Sequence, residues 1–410
     1  MDLSYLMEWA NLLLRWAHVI VVIAWIGSSF YFVFLDLSLK KPTAPELLDK
    51  GVDGELWAVH GGGFYHPQKY LVAPKTLPKH LHWFFWESYS TWLTGMALFT
   101  VSYLFRADTF LIDKNVYQWS ASEAIITSLM LLLFFWIVYD SICRLFFKHP
   151  KSDLIVGVCI ALFVVAMSYL VCHLYSGRAA FLIVGAMMAT TMTANVFFWI
   201  IPGQRTVVEQ LKAGQAPDPV YGKRGKQRSV HNTYFTLPVL IAMLSNHYGW
   251  LSNAPQNWVV LCVMMLAGAL IRHSFVARHQ SLVAGKTPSW RHAWVGCLLI
   301  LALAVWMAPS KTANTQTVGA SKNADTSSVS TPASNATTSI ESIIETRCLA
   351  CHNDKLMQKN VALHTPELIK KNAQAIYQQT VVLKLMPFQN ATQITEAERA
   401  VIKAWFEKNQ

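Results

Sequence analysis

The sequence is poor in charged residues. Only 14% of its 410 residues are Asp, Glu, Lys or Arg, whereas 53% are hydrophobic and the mean hydropathy is +0.31. A soluble domain normally carries about 25% charged residues, so this composition excludes an ordinary soluble protein and is typical of a membrane protein. Acidic residues are fewer than basic ones, with 23 Asp and Glu against 34 Lys and Arg, and the net charge is +11. Such a charge would suit a nucleic-acid-binding protein, unless the positions of the basic residues explain it.

Cysteine is also uncommon, and most of it is unpaired. The chain has seven cysteines, and no spacing pairs the five that stand singly in apolar runs. There a free thiol behaves as a small buried hydrophobe, and these residues are Cys143, Cys159, Cys172, Cys262 and Cys297. Cys348 and Cys351 are different, because they are paired by their spacing and His352 follows them directly.

Long apolar segments fill the chain up to residue 308. A spanning helix needs about 20 mostly apolar residues. The segments that qualify are Leu12–Leu35, Trp83–Leu104, Ala124–Phe147, Leu154–Tyr175, Phe181–Ile201, Tyr234–Trp250, Trp258–Val276 and Ala293–Ala308. We therefore predict an all-α fold with a polytopic eight-helix membrane bundle at residues 1–308. Asp2 and Glu8 stand where a signal peptide carries basic residues, so we expect the first segment to be a spanning helix.

The composition changes after the eighth segment. Residues 309–339 are rich in Ser, Thr, Ala and Asn and have no apolar period, which predicts a flexible linker. Residues 340–410 form a small polar domain with a predicted helix at each end. The first helix places Ile340, Ile343 and Ile344 on one face, and the second begins with a capping box made by Thr395 and Glu398.

The basic residues indicate how the chain is oriented. Lys and Arg are concentrated in the loops after the first, third, fifth and seventh segments. The short loops on the other side hold Arg106, Lys114 and Arg178. By the positive-inside rule the basic loops are cytoplasmic, which places both chain ends on the periplasmic side of a bacterial inner membrane. Topology then explains the positive charge, and we expect no nucleic-acid partner.

The string CLACH at residues 348–352 is a C-x-x-C-H motif, which is typical of covalent c-type haem attachment. We expect the Cys348 and Cys351 thiols to bond the porphyrin and His352 to ligate the iron. Met386 is the expected second axial ligand, and Pro387 fixes the backbone of its loop. A His/Met pair gives a raised potential suited to accepting electrons. The tail is therefore predicted to be a small class I cytochrome c domain with one haem c.

Two alternatives remain beside this assignment. A zinc half-site would need two further Cys or His ligands, and His364 is the one near the motif. Met357 is a rival axial ligand, although it lies close in sequence to His352 for a residue that must reach the opposite face of the haem. Haem c is attached in the bacterial periplasm, the same side that the charge distribution predicts for the tail.

Histidines within the apolar segments are candidates for a second haem. His18, His173 and His247 are all predicted to lie toward the periplasmic side. Ionisable residues in membrane helices are functional candidates, and imidazoles on facing helices can hold haem b. The alternative is that each is a hydrogen-bonded core histidine.

Polar residues are more numerous on the predicted cytoplasmic side. The glycines of HGGGFYH at residues 60–66 permit a close backbone approach, and aromatic, Arg and amide groups suit a flat anionic heterocycle. The alternative is an ordinary basic interface with aromatic belts. The other residues of this layer are His80, His82, Trp86, Glu87, Asp140, Arg144, Asn195, Arg228, His231, Asn232, Arg272, His273, Arg278 and His279.

These stretches together resemble the bacterial membrane-bound urate oxidases (urate hydroxylases), in which an eight-helix membrane domain is fused to a carboxy-terminal cytochrome c. The similarity covers the chain apart from the linker. It rests on RWAHVIVVIAWIGSSFYF (Arg15–Phe32), VHGGGFYHPQKYLVAP (Val59–Pro74), LHWFFWESYSTWLTG (Leu81–Gly95), NVFFWIIPGQR (Asn195–Arg205), HNTYFTLPVLIAMLSNHY (His231–Tyr248) and CLACH.

The resemblance implies oxidation of urate to 5-hydroxyisourate, with water supplying the hydroxyl group. Electrons would pass to the fused haem c and then to a respiratory-chain acceptor, a cytochrome c or a terminal oxidase, instead of to O2. A cytoplasmic urate site would lie across roughly 30 Å of hydrocarbon from a periplasmic haem, so it would require an intramembrane relay such as haem b.

Roles in the membrane domain follow from the residues alone. We expect Arg272 or Arg144 to bind the anion, Glu87 or His231 to act as the base, and the glycine run to close over the ring. A non-catalytic alternative is a membrane-anchored cytochrome c that relays electrons from quinol. A transporter with a redox sensor is a third possibility.

Overall fold

The computed structural model describes residues 3–70, 74, 77–114, 116–149, 151–308, 339–354, 361–382, 384–387, 390 and 392–408. The chain divides into two compact units, Met1–Ile300 and Leu301–Gln410. Both are mainly helical. The predicted linker at 309–339 lies outside the described residues except for Ser339.

Helices dominate the first unit. Its long helices are α1 (Leu3–Ser38), α3 (Trp86–Ser102), α5 (Ala121–Phe146), α6 (Ser152–Cys172), α7 (Gly177–Asn195), α8 (Ile201–Lys212), α9 (Pro219–Leu244), α11 (Asn257–Val283) and α12 (Arg291–Trp306). Shorter ones are α2 (Pro45–Asp49), α4 (Ala107–Phe110) and α10 (Gly249–Ser252), with 3₁₀ turns at Leu104–Arg106 and Ser245–His247.

Several of these helices could cross a membrane. By length and composition five qualify: Tyr5–Ser38, Ala121–Phe146, Ser152–Cys172, Gly177–Lys212 and Asn257–Val283. A helix lies at each of the eight predicted segments, but three of these helices are too short or too charged to count as membrane spans. Helices α3 and α12 have 17 and 16 residues, roughly 25 Å at 1.5 Å per residue, against about 30 Å of hydrocarbon. Helix α9 is longer, but Lys and Arg occupy its first half. Membrane localisation is therefore supported, and the count of eight spans stays a prediction.

A π-helical turn, Val196–Ile200, joins α7 to α8 without a break. Pro202 follows it in the first turn of α8. Proline has no N–H and its ring collides with the carbonyl four residues earlier, so the helix widens just before it. The wider turn sets the positions of Asn195 and Trp199, and such turns are frequent at functional sites.

Five helices of the first unit contact one another in a cycle. Helix α1 packs on α3, α3 on α7, α7 on α9, α9 on α11 and α11 on α1, while α5 and α6 pack against α7. Small residues permit the close contacts, as a Cβ at Gly185 would lie 2.8 Å from Ala242. Fully buried Phe135, Tyr139, Tyr175 and Phe181 fill the core around α5 and α7.

Two small antiparallel sheets lie between α1 and α3, in a chain predicted to be all-α. Strand β1 (Val52–Glu55) pairs with β4 (Gln68–Tyr70), and β2 (Ala58–His60) pairs with β3 (Gly63–Tyr65). Strands of three or four residues are too short to show a period in sequence. Gly61 and Gly62, with φ of 57° and 81°, form the two-residue turn of the β2–β3 hairpin. The turn thus accounts for two of the three consecutive glycines.

The second unit contains α13 (Ile340–Arg347), α14 (Pro366–Lys371), α15 (Ala373–Tyr377), a π-helical turn at Gln378–Val382 and α16 (Glu396–Lys408). The predicted helices at both ends of this domain are confirmed, and Ile343 and Ile344 are buried in its core.

The predicted capping box at the start of α16 is also confirmed. Glu398 N donates to Thr395 Oγ1 at 3.2 Å, and Thr395 N donates to Glu398 Oε2 at 2.7 Å. Arg347 Nε donates to Glu398 Oε1 at 3.0 Å. Burial opposes ionisation of Glu398, but the hydrogen bonds from Thr395 and Arg347 outweigh it and hold the pKa of this carboxyl below its usual value. Glu398 therefore ties the first helix of the domain to the last.

Candidate functional site

The C-x-x-C-H motif forms a helical turn directly after α13. Cys348 N donates to Ile344 O at 2.8 Å, and the amides of Cys351 and His352 both lie 3.1 Å from Cys348 O. Cys348 is buried and Cys351 is half-buried. The two thiols and the imidazole therefore project from one short turn, as attachment of one porphyrin requires.

His352 is held in the tautomer that an iron ligand needs. Its Nδ1 lies 2.9 Å from the carbonyl oxygen of Val361, so Nδ1 carries the proton and donates it. The lone pair of Nε2 is then available, and a backbone carbonyl on the other ring nitrogen is the usual partner of a metal-bound histidine. The residues present fit c-type haem.

Met386 lies in a loop that is tied to the rest of the second unit. Its amide donates to Gln379 O at 2.9 Å, and Arg399 Nη1 donates to its carbonyl oxygen at 3.1 Å. Arg399 also donates to the carbonyl of Thr380. Met357, the rival axial ligand, lies outside the described residues. Among the described residues no group of three or more His, Cys, Asp or Glu is arranged to hold a metal ion, and a haem iron with His and Met ligands requires no such group.

In the first unit, Asp140 on α5 is the centre of a charged network. Arg144 Nε lies 2.7 Å from Asp140 Oδ2, and Arg228 Nη2 from α9 lies 2.7 Å from Oδ1. Trp199 Nε1, from the π-helical turn, donates to Oδ1 at 2.7 Å. The Arg228 side chain is 4% exposed and that of Arg144 is 66% exposed, so one carboxylate holds a buried and an exposed arginine.

A neutral hydrogen-bond network lies next to it. Asn195 Nδ2 donates to the Tyr139 hydroxyl and to Asn232 Oδ1, both at 2.9 Å, and the Tyr139 hydroxyl lies 2.7 Å from His231 Nδ1. Tyr139 and Asn195 are fully buried. Because the hydroxyl accepts from Asn195, its own proton is donated to His231 Nδ1, and His231 carries its proton on Nε2. The network thus presents His231 as a donor through Nε2.

Arg272 on α11 is a buried cation with no carboxylate partner among the residues that the structure describes. Its residue is 7% exposed, and its guanidinium carbon lies 3.7 Å from the Phe30 ring centroid on α1. Nε and Nη2 have no hydrogen-bond partner in the part of the chain that the structure describes. The Tyr234 hydroxyl on α9 lies 2.7 Å from Nδ1 of His273 on α11. Arg272 directly precedes His273, so it lies at the same height as Tyr234. His231 stands three residues before Tyr234 on α9, which is within one helical turn of that height. Burying a charged group away from water costs several kcal/mol of free energy unless an anion pairs with it. The position of Arg272 therefore suits an anionic ligand.

Glu87 lies at the start of α3 and is half-buried. No described residue forms a hydrogen bond with its carboxylate. The carbonyl oxygen of the next residue, Ser88, accepts from Thr193 Oγ1 at 3.4 Å, and Thr193 stands two residues before Asn195 on α7. Glu87 therefore lies at the same end of the first unit as the asparagine network.

The three histidines predicted to hold haem b lie at different depths. His18 Nδ1 is 3.0 Å from Thr94 Oγ1, and its ring packs against Gly95, where a Cβ would lie 3.0 Å from Cε1. His247 belongs to the 3₁₀ turn whose Asn246 accepts from Tyr103 OH at 2.8 Å. Tyr103 directly follows α3 and lies nine positions after Thr94, roughly 13 Å along the helix axis. His18 is thus near mid-helix, whereas His247 is exposed at the end.

His173 is exposed where α6 ends, and its Nδ1 lies 2.7 Å from Tyr169 O. Gly61 and Gly62 of the β2–β3 hairpin are also exposed, as are the nearby side chains of Val59 and Phe64, whereas Gly63 is half-buried.

Comparison with known proteins gives the family. The family described as "Urate oxidase N-terminal" matches residues 4–308, which include every helix of the first unit. The chain belongs to this family. No curated protein and no solved structure gives a significant match. The protein is therefore related to the urate oxidases, and the match supports an oxidoreductase that acts on urate.

Within this urate oxidase domain the structure brings together some of the predicted site residues and separates others. Arg144, Asp140, Arg228, Asn195, Asn232 and His231 form one connected region across α5, α7 and α9. Arg272 and Glu87 reach the same end from α11 and α3, and no hydrogen bond links them to that region in the described part of the chain. Tyr139 and Trp199 also belong to this region and were not among the site residues predicted from the sequence. Their neighbours gave a signal, because Tyr139 precedes the intramembrane Asp140 and Trp199 stands in the NVFFWIIPGQR string.

Proposed function

We propose that the protein oxidises urate to 5-hydroxyisourate and delivers the electrons through its C-terminal domain to a respiratory-chain acceptor. The balanced reaction is urate plus water giving 5-hydroxyisourate, two protons and two electrons, and it does not use O2. The observation that supports a urate site most directly is Arg272, a buried residue of the urate oxidase family domain whose Nε and Nη2 have no hydrogen-bond partner among the described residues.

Arg272 is the better of the two candidate anion ligands. Arg144 already has its Nε paired with Asp140, and its side chain is largely exposed. Arg272 instead stacks on Phe30, an arrangement that can receive a flat anion beside the ring and donate two hydrogen bonds to it. Two parallel donors would orient the heterocycle as well as neutralise it.

The two candidate bases are assigned different roles. His231 carries its proton on Nε2 because Nδ1 accepts from Tyr139, so it is suited to donate a hydrogen bond to a substrate oxygen. Glu87 is half-buried, and no described residue hydrogen-bonds its carboxylate, so it is suited to take a proton from water or from a substrate N–H. Asn195 and Asn232 position His231 through Tyr139 and the α7–α9 contact.

The C-terminal domain is proposed to be a cytochrome c. Cys348 and Cys351 would hold the porphyrin, and His352 and Met386 would be the axial ligands. When bound, haem c supplies a one-electron acceptor of raised potential. The Val361 carbonyl keeps His352 in the ligating tautomer, and Arg399 anchors the loop of Met386.

Two further parts of the proposal concern the membrane. The basic loops would be cytoplasmic and the cytochrome domain periplasmic, by the charge distribution of the sequence. His18 is the best-placed ligand for haem b, because it lies within the helices and packs against a glycine. A pyridine haemochrome of the purified protein that shows c-type haem alone would remove haem b from this scheme.

The test is anaerobic reduction of the c-haem absorption band by urate, using purified full-length protein. Wild-type protein should be reduced by urate under nitrogen. Arg272→Gln should raise the urate concentration for half-maximal reduction at least tenfold, since hydrogen bonds to charged groups contribute about 1.5–3 kcal/mol. Arg278→Gln on the same helix is the matched control and should behave as wild type.

Two outcomes would contradict the proposal. A haem that stays oxidised with urate but is reduced by quinol would favour the non-catalytic electron relay. Reduction by urate that Arg272→Gln leaves unchanged would keep the reaction and exclude Arg272 as the anion ligand. Replacing Cys348 and Cys351 by Ser should remove haem staining of the denatured polypeptide, which tests the covalent haem independently of urate.

A further inference from the structure

A cavity with basic walls lies where α5 ends beside α9 and the π-helical turn. Its volume is about 360 Å³, within the range of about 300–1,000 Å³ that small-ligand sites occupy. Four cationic side chains line it: Arg144, Lys148, Arg224 and Arg228.

The cations outnumber the carboxylates that could neutralise them. Asp140 is shared by Arg144 and Arg228, so one positive charge of that pair remains. Arg224 and Lys148 have no carboxylate partner in the described part of the chain. Asp153 accepts a hydrogen bond at 3.2 Å from Gln227, which lines the cavity, and with the charge of Asp153 included four cations face two carboxylates. The cavity is therefore strongly positive.

One aromatic ring gathers the arginines. The guanidinium carbons of Arg144, Arg224 and Arg228 lie 5.1, 5.7 and 5.2 Å from the ring centroid of Trp199. Asp140 neutralises one of these three charges, and the repulsion between the charges that remain is unfavourable without a further anion. The Arg228 side chain is 4% exposed, and its Nη1 has no hydrogen-bond partner among the described residues. The cavity thus combines positive charge with a buried donor that lacks an acceptor.

We propose that this cavity binds a phosphate-bearing anion. Phosphate oxygens match guanidinium groups in geometry and charge, and basic pockets between membrane helices bind anionic lipid headgroups. Leu145 lines the cavity and is 76% exposed, and Phe198, which precedes Trp199 in the π-helical turn, is 52% exposed. These apolar side chains would contact acyl chains, so a phospholipid headgroup is the favoured source of the phosphate. Arg272, the proposed urate ligand, does not line this cavity, whereas Arg228 connects the cavity to Tyr139 and His231.

The test is calorimetric titration of the full-length protein in a zwitterionic detergent with three probes. These are a short-chain phosphatidylglycerol, inorganic phosphate and a short-chain phosphatidylcholine. The double variant Lys148→Gln/Arg224→Gln removes the two cations that lack a carboxylate. The matched control, Lys223→Gln/Lys226→Gln, removes two exposed charges of α9 that do not line the cavity.

Phosphatidylglycerol should bind saturably to the wild type. Its dissociation constant should be at least tenfold higher in the cavity variant, since each basic residue near an anionic lipid contributes about 1 kcal/mol of binding free energy. In the control variant the dissociation constant should stay within about twofold of the wild-type value. The variant Lys148→Arg/Arg224→Lys should restore binding, which separates loss of charge from misfolding. Binding of inorganic phosphate with the same variant pattern would support the site with free phosphate as its source. Equal weakening by the control pair, or no saturable binding of either anion, would overturn the proposal. So would displacement of the bound lipid by urate, because the cavity would then belong to the substrate site.

Discussion

Replacement of Asp140 by asparagine tests the charged network most sharply. The carboxylate is 8% exposed and contacts Arg228, Arg144 and Trp199. An asparagine has the same shape and can still accept from Trp199, but it carries no charge. Arg228 would then be a buried cation with no carboxylate in the described part of the chain.

The expected loss of stability follows from the solvent exposure of the two arginines that Asp140 pairs with. Breaking a buried ion pair by removing one partner costs about 3–5 kcal/mol, because the remaining charge stays desolvated. Arg228 is 4% exposed and belongs to this class. Arg144 is 66% exposed, and an exposed pair contributes about 0–1 kcal/mol. Asp140→Asn should therefore destabilise the protein several times more than Arg144→Gln, although both changes affect the same carboxylate.

The assay is reversible unfolding of the full-length protein by sodium dodecyl sulfate in phosphate-free zwitterionic micelles, followed by circular dichroism. The double variant Asp140→Asn/Arg228→Met removes both buried charges and should be more stable than Asp140→Asn alone. The reasoning is refuted if Asp140→Asn costs no more than Arg144→Gln. It is also refuted if the double variant recovers no stability.

Two further predictions concern the packing of each unit. Because the pKa of Glu398 is lowered by folding, its contribution to the stability of the second unit is present above the usual carboxyl pKa of about 4.3 and is lost as the pH falls through the lowered value. Thermal unfolding of the wild type at pH 3–7 should show this loss of stability. Glu398→Gln weakens the hydrogen bond from Arg347, so it should lower the free energy of unfolding by about 1–3 kcal/mol at neutral pH. The same variant should flatten the pH dependence of stability. Gly177→Ala should destabilise the first unit by about 1–3 kcal/mol in the dodecyl sulfate unfolding assay, because its Cβ would overlap the Ser252 carbonyl. Gly157→Ala is the control, since its Cβ would enter open space and should leave stability unchanged. Equal effects of the two substitutions would contradict this packing.

Local features of the sequence were sufficient for much of the fold. Apolar segments located the helices because a helix that meets lipid or a core must be apolar over many turns. The capping box at Thr395 and Glu398 was visible because both partners stand within one helical turn. The hairpins at residues 52–70 were missed, since strands of three or four residues carry no period and three glycines suggest a loop as readily as a turn.

Candidate residues could be collected from the sequence, but their partners could not. Intramembrane Asp140 and His231 were visible as ionisable groups in apolar surroundings. That Asp140 holds both Arg144 and the distant Arg228 depends on how α5 packs against α9. The same packing placed Tyr139 between Asn195 and His231 and thereby fixed the histidine tautomer.

By itself, the sequence determined the features that short stretches encode: the helical segments, the family strings, the C-x-x-C-H turn and the identity of the haem ligands proposed from it. The tertiary structure decided which charges are compensated. It buried Arg272 against Phe30 with no carboxylate in the described part of the chain to pair with it, and it gathered three arginines around Trp199. The physical reason is that a charge's free energy depends on its solvent exposure and its neighbours in space, and residues far apart in the chain supply both.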